Sequence, residues 1–234
     1  MSLHDDVARI LIDEDSIQGR IAELGTQIST DYPPDSRPLL VCILKGAYLF
    51  LADLSKHITI PHEVDFMATS AYGGGLDSRG VVRLVLDLKT NVAGRHVLLV
   101  EDIVDRGGTI HYILRLLRER GPASLKICAL LSKPSRREFD VPLDYVGFEI
   151  PDEFVIGYGL DIDEMYRNLP YIGVPTADLI DRLLGPSSSS GQRTPSPADL
   201  PGHGGAGSSI SSGSDSPASS RNRAMRQPGS PAGR

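Results

Sequence analysis

Residues 97–110 read VLLVEDIVDRGGTI, four apolar residues running into Glu101 and Asp102, with Asp105 two apolar positions later, then Arg106, Gly107, Gly108 and Thr109. Carboxylates at the end of a buried strand cost several kcal/mol unless each finds a partner. The two glycines let a backbone approach a ligand closely, and a turn into a helix leaves the first amides free and partially positive. Residues 105–109 therefore have the chemistry of a phosphate cradle. Carboxylates beside a phosphate would repel it, so Glu101 and Asp102 must face sugar hydroxyls, a metal ion or a cationic transition state. A sugar phosphate meets all of these demands together. Alternatively, Asp105 caps the helix while Glu101 and Asp102 sit solvated in a loop. Capping accounts for one acid, but not for three against a buried strand. The sequence holds no G-x-x-x-x-G-K-[ST] and no G-x-G-x-x-G, so the two common nucleotide loops are excluded.

The elements that must carry these residues are legible in the hydrophobic pattern. An amphipathic helix is expected over residues 15–30, a buried strand over 39–44 (LLVCIL) and a helix over 47–57. Strands at 62–70 and 81–88 flank a glycine-rich loop, YGGGLDSRG, at 72–80. The most apolar strand spans 96–100, and the helix after it, 109–120, stops at Gly121-Pro122. Further strands follow at 125–131 and around 145–149 and 154–158. Apolar runs alternating with helices imply an α/β fold with a mostly parallel central sheet flanked by helices on both faces. In such sheets ligands bind beyond the carboxyl ends of the strands, where the acids lie.

Composition changes sharply at Pro186. Residues 186–234 hold fourteen Ser, eight Gly and seven Pro, with Leu200, Ile210 and Met225 as the only large aliphatics. Such a segment buries too little apolar area to offset its ordering entropy, so it is expected to be a disordered tail behind a folded domain of residues 1–185. The tail has five Arg against two Asp, which leaves 19 basic and 28 acidic residues in the remaining 185, a charge of −9. That balance argues against nucleic-acid binding. No run reaches the ~18 apolar residues of a membrane span, and the start MSLHDDVARI lacks a signal-peptide core. Cys42 and Cys128 each sit inside an apolar run, as expected of free thiols in a reducing cytoplasm.

An apolar strand, two acids, two apolar residues, Asp and a short turn with Gly and Thr resembles the phosphoribosyl-pyrophosphate (PRPP) signature of type I phosphoribosyltransferases. Leu44-Lys45-Gly46 ends an earlier strand, Ser132-Lys133-Pro134 follows a later one, and then comes VGFEIPDEFVIGYGLDIDEMYRNLP. In order and spacing, over roughly residues 8–183, this set is similar to the bacterial-type hypoxanthine-guanine phosphoribosyltransferases. The resemblance implies the type I phosphoribosyltransferase fold for residues 1–185, with a small hood built by the chain ends and a mobile loop. It also implies a purine-salvage transferase that joins a 6-oxopurine to PRPP with Mg²⁺, and a homodimer or homotetramer.

Carried over by motif, Glu101 and Asp102 would bind the ribose hydroxyls, directly or through Mg²⁺, and Asp105 would be the general acid/base at the purine. Residues 105–109 (Asp105, Arg106, Gly107, Gly108, Thr109) would hold the 5′-phosphate. Lys45, Gly46 and Arg167 would contact pyrophosphate, and Asp161 a metal ion there. Lys133 would read the exocyclic oxygen, being a donor only; Phe154 would stack on the base and the Val155 backbone would meet its other edge. Ala71, Tyr72 and Gly73 would belong to the mobile loop. Three positions depart from the family pattern: Arg106 stands where Thr or Ser is usual, Gly108 where a larger residue is, and Ala71 where Ser is. A PRPP-binding regulator of the same fold is the main alternative from another class, and a transferase for xanthine or a pyrimidine the second. A sensor needs neither an acid/base at Asp105 nor a base-reading Lys133.

Overall fold

The structure is a computed structural model that describes residues 2–72 and 81–185, with Ala71, Tyr72 and Val81 described by backbone alone. These residues all fall within one compact unit, Met1–Gly202; a second unit, His203–Arg234, lies outside the description. Gly73 and the rest of the expected mobile loop, and the expected tail at 186–234, also lie outside the described residues.

Six strands form the central sheet in the order β4-β3-β2-β5-β6-β7. They are β2 (Leu39–Leu44), β3 (Glu63–Tyr72), β4 (Val81–Leu86), β5 (His96–Val104), β6 (Ser124–Ser132) and β7 (Tyr145–Glu149). All pairings are parallel except β3 with β4, which closes one edge. Period-2 alternation sorts the central strands between two cores. Leu40, Cys42, Leu98 and Val100 pack with α1 (Glu14–Asp31) and α2 (Tyr48–His57), while Leu39, Val41, Val97 and Leu99 pack with α3 (Gly108–Arg118). Helix α1 starts where Asp13 accepts the Ser16 amide at 2.7 Å, and it buries Ile17, Ile21, Leu24 and Ile28 along one stripe. Both thiols, Cys42 and Cys128, are free and fully buried on the α1/α2 side.

The chain ends build the hood. Strands β1 (Val7–Ile12) and β8 (Ile172–Pro175) pair antiparallel, and α4 (Ala177–Leu184) packs beside Phe154, Ile156, Ile162, Tyr166 and Leu169. A polar clasp closes it: the Tyr166 hydroxyl donates to Asp6 at 2.6 Å and Arg182 pairs with the same carboxylate at 2.7 Å.

Two sequence expectations are corrected. The strand expected at 96–100 runs on to Val104 and carries the acids within it, because its ladder with β6 continues through Glu101↔Ala129 and Val104↔Ser132. The strand expected at 154–158 does not form. Ile156 makes a single bridge to Gly173, after which Gly157 (φ +96°), Tyr158 (φ +47°) and Gly159 (φ +96°) turn the chain. Phe154 and Ile156 serve the hood core and Val155 and Tyr158 the α1/α2 core instead, so their hydrophobicity resembled a strand without its ladder.

Candidate functional site at the strand ends

Because β2, β5 and β6 are parallel, their carboxyl ends open on one edge of the sheet. Three connections meet there: 45–47 after β2, 105–107 after β5 and 133–137 after β6. The Lys133 amide donates to the Val104 carbonyl at 3.0 Å and ties the second to the third. The segment 150–170, coming from the hood, supplies the remaining wall.

Glu101 is buried, and its Oε2 has no hydrogen-bond partner. Burial, reinforced by the neighbouring Asp102, pushes its pKa well above the ordinary range. Burial also pushes Asp102 up to about 6, against the pull of the Ile103 amide and of Arg167. Gly46 lies directly against the Asp102 carboxylate, so a side chain there would displace that carboxylate. Gly159 in turn lies against the Gly46 carbonyl. Asp102 thus meets the turn after β2 at Gly46, in a contact that a Cβ would crowd.

Asp105 does not cap α3. The cap is Gly107, in a left-handed conformation at φ +88° and without a side-chain hydrogen bond, so the leading amides of α3 have no side-chain cap. Both Asp105 oxygens are buried without a hydrogen-bond partner; the nearest cation is Arg136, Nε at 3.1 Å from Oδ1, in ion-pair range but poorly aligned for a hydrogen bond. Arg136 reaches on to Asp152 at 3.0 Å. Lys133 is only 3% exposed, its ammonium 4.0 Å from Asp152, and burial lowers its pKa against the fields of Asp105 and Asp152. Arg137 donates to Ser132 Oγ at 2.9 Å and passes close to Gly107. Arg106 points along this wall, Nε 3.5 Å from Glu138, while its carbonyl accepts the Glu138 and Phe139 amides. Thr109 sits in the first turn of α3, and Gly108 has only ordinary contact distance to Phe139, so its size is not dictated by packing.

On the opposite side, Arg167 donates to the Gly159 carbonyl at 2.8 Å, pairs with Asp161 at 2.8 Å and with Glu164 at 3.0 Å. Lys45 meets the same Glu164 oxygen at 3.0 Å. Lys45, Gly46 and Arg167 are therefore brought together, as expected of one subsite. Phe154 and Val155 are each 4% exposed, Phe154 among hood residues and Val155 in the α1/α2 core, so the Phe154 ring has little surface open for a base in this state. Ala71 and Tyr72 extend β3, and their side chains are not described.

The three proposed metal residues are not equivalent. Both Asp161 oxygens are engaged, by Arg167 and by the Glu164 amide. Among the described residues no group of three or more His, Cys, Asp or Glu is placed to hold a metal ion. Glu101, with its unpartnered buried oxygen, and Asp102 do fit a hard cation that takes most of its ligands from substrate and water, as Mg²⁺ does.

Sequence reasoning missed Arg136, Arg137, Asp152 and Glu164. The doublet Arg136-Arg137 right after Lys133 was a usable signal, because a connection leaving a parallel strand faces the same edge. Asp152 and Glu164 gave none, since a single acid in a charged loop is ordinarily solvated.

A model of the phosphoribosyl transferase domain matches residues 12–163. The hypoxanthine-guanine phosphoribosyltransferase of Bacillus subtilis (strain 168) is 50% identical over 169 residues, 72% of this chain and 93% of that protein. The hypoxanthine phosphoribosyltransferase of Escherichia coli (strain K12) is 48% identical over 165 residues, 70% of this chain and 93% of that protein. A crystal structure of a hypoxanthine phosphoribosyltransferase from Staphylococcus aureus superposes with a TM-score of 0.73 at 44% identity, covering 76% of this chain and 96% of that one.

Proposed function

The chain belongs to the phosphoribosyltransferase family, and from that premise we propose that it transfers the 5-phosphoribosyl group of PRPP to hypoxanthine or guanine, forming IMP or GMP and pyrophosphate. The observation that carries this reading is that a buried, donor-only Lys133 lies in the field of a buried Asp105, whose oxygens make no hydrogen bond and only the Arg136 ion pair, at the turn into α3.

Asp105, whose buried oxygens make no hydrogen bond, is the group that exchanges a proton with the purine imidazole nitrogen. Lys133 donates to the exocyclic oxygen; an amine at that position offers no matching acceptor, so adenine leaves the ammonium unpaired in a buried site. The α3 amides, with Thr109 and Arg106, hold the 5′-phosphate. As the bond from C1′ to pyrophosphate breaks, positive charge develops on the ribosyl centre. Glu101 and Asp102 lie where carboxylates stabilise it through the ribose hydroxyls. Lys45, the Gly46 backbone and Arg167 take the pyrophosphate, with Phe154 and Val155 flanking the base; Ala71 and Tyr72, expected in a mobile loop, instead end β3 in register with β4. Glu101 and Asp102 would hold Mg²⁺, which would supply charge neutralisation for the phosphates; Asp161 would join them only by giving up its bonds to Arg167 and the Glu164 amide. A cytoplasmic homodimer or homotetramer is in keeping with the family.

The test is nucleotide formation from PRPP and Mg²⁺ with hypoxanthine, guanine, xanthine and adenine offered separately. Turnover with oxopurines and none with adenine is expected. Saturable PRPP binding without turnover would replace the enzyme by a PRPP sensor.

A further inference from the structure

Two cations assigned to pyrophosphate converge on one carboxylate oxygen. Glu164 Oε2 lies 3.0 Å from Lys45 Nζ and 3.0 Å from Arg167 Nη2. We propose that Glu164 is a resident anion on the pyrophosphate side of the site, which pyrophosphate must displace, so that it sets the affinity for PRPP and for released pyrophosphate. The proposal rests on the assignment of Lys45 and Arg167 to pyrophosphate.

Geometry separates this role from one of holding the cations in place. Arg167 is fixed without Glu164: its Nη1 donates to the Gly159 carbonyl at 2.8 Å and pairs with Asp161 Oδ1 at 2.8 Å, and its side chain is 17% exposed. Only Nη2 is given to Glu164. If Glu164 leaves, the guanidinium stays in position and presents a free edge, which suits bidentate recognition of a phosphate. Lys45 is 66% exposed on a flexible stem, so the ion pair does little to order it.

Glu164 itself is built to move. Its side chain is 59% exposed, and its backbone sits at φ +64° in a turn whose amide is anchored by Asp161 Oδ2 at 2.9 Å. The turn therefore keeps its shape when the carboxylate swings into water. Seated on both cations, the Glu164 carboxylate opposes an incoming phosphate. Asp161 and Asp102 add negative charge on the same side, and Asp161 remains committed to Arg167. Glu164 is thus the acid whose withdrawal exposes cations at small cost.

The experiment is calorimetric titration of inorganic pyrophosphate with Mg²⁺ into the full-length protein, its Glu164→Gln and Glu164→Ala variants, and a Lys45→Ala variant. Removing an exposed competing charge is expected to lower the Kd of both Glu164 variants by about threefold to tenfold. The KM for PRPP should fall in parallel, while the Kd for hypoxanthine stays unchanged. An equal or higher pyrophosphate Kd in both Glu164 variants overturns the proposal and makes Glu164 an organiser of the cations. A wild-type protein that does not bind pyrophosphate, or whose binding is indifferent to Lys45→Ala, overturns instead the assignment of Lys45 and Arg167.

Discussion

Asp105 and Asp102 illustrate two ways a carboxylate can be left costly for use. Both Asp105 oxygens are buried without hydrogen-bond partners, held only by the Arg136 ion pair, so the group keeps hydrogen-bonding capacity for a ligand's proton. Asp105→Asn keeps the shape and removes the basicity. It is expected to cut turnover by ~10²-fold or more while PRPP binding persists, to be read by steady-state kinetics beside calorimetry; full turnover would end the acid/base assignment. Asp102 carries its cost as a raised pKa of about 6, caused first by burial. An acid whose folded pKa lies above its unfolded value destabilises the fold when ionised. Its penalty is absent below the unfolded value near 3.8, grows as pH rises, and is complete above about 6. Asp102→Asn should therefore melt several degrees higher than the native chain at pH 7.5, with the gap shrinking as pH falls from 6 toward 4. A gap that widens on acidification would refute this.

At the level of elements, the stack of Asp102, Gly46 and Gly159 couples β5, the β2–α2 turn and the hood segment through backbone contact. A Cβ on Gly46 would meet only the end of the Asp102 side chain, which can rotate away. Gly46→Ala should misplace that carboxylate and lower activity about tenfold or more with little loss of stability. A Cβ on Gly159 would meet the Gly46 carbonyl in a left-handed backbone, and neither can yield. Gly159→Ala should cost roughly 2 kcal/mol or more in urea unfolding. Equal stability of the two variants would contradict the stack. The strands β2, β5 and β6 were legible through their buried apolar runs at 39–44, 97–100 and 127–131, whereas the acids at 101–102 hid the continuation of β5. The 150–170 segment was misread at 154–158 because its hydrophobicity is shared between the hood core and the α1/α2 core, and a turn at Gly157–Gly159 replaces a ladder. The hood strand β1 escaped sequence reading for a related reason: VARILI is mostly exposed on a two-stranded ribbon, so it shows no clean alternation.

For the whole molecule, residues 1–185 carry a charge of −9, yet Lys45, Arg106, Lys133, Arg136, Arg137 and Arg167 gather at one sheet edge. A polyanion such as PRPP would be attracted there, although the sequence showed the cations as scattered residues. Their convergence depends on parallel pairing across β2, β5 and β6, which no single segment states. The composition break at Pro186 predicts that a chain ended at Gly185 keeps its melting temperature and its turnover. A drop in either would assign the Ser/Gly/Pro-rich segment a part in the folded unit.

The two thiols have a practical consequence. Cys42 and Cys128 are the only cysteines in the chain, and both are fully buried in the sheet core; burial pushes the Cys42 thiol up to about 12 and the Cys128 thiol higher still. Neither offers a thiolate to alkylating dyes at neutral pH. The native protein is thus a ready host for a single engineered cysteine: a fluorophore attached at an exposed site near Lys45 would report ligand-induced movement without background labelling. In the unlabelled protein, the rate at which a maleimide consumes Cys42 and Cys128 would serve as a clock for opening of the sheet core.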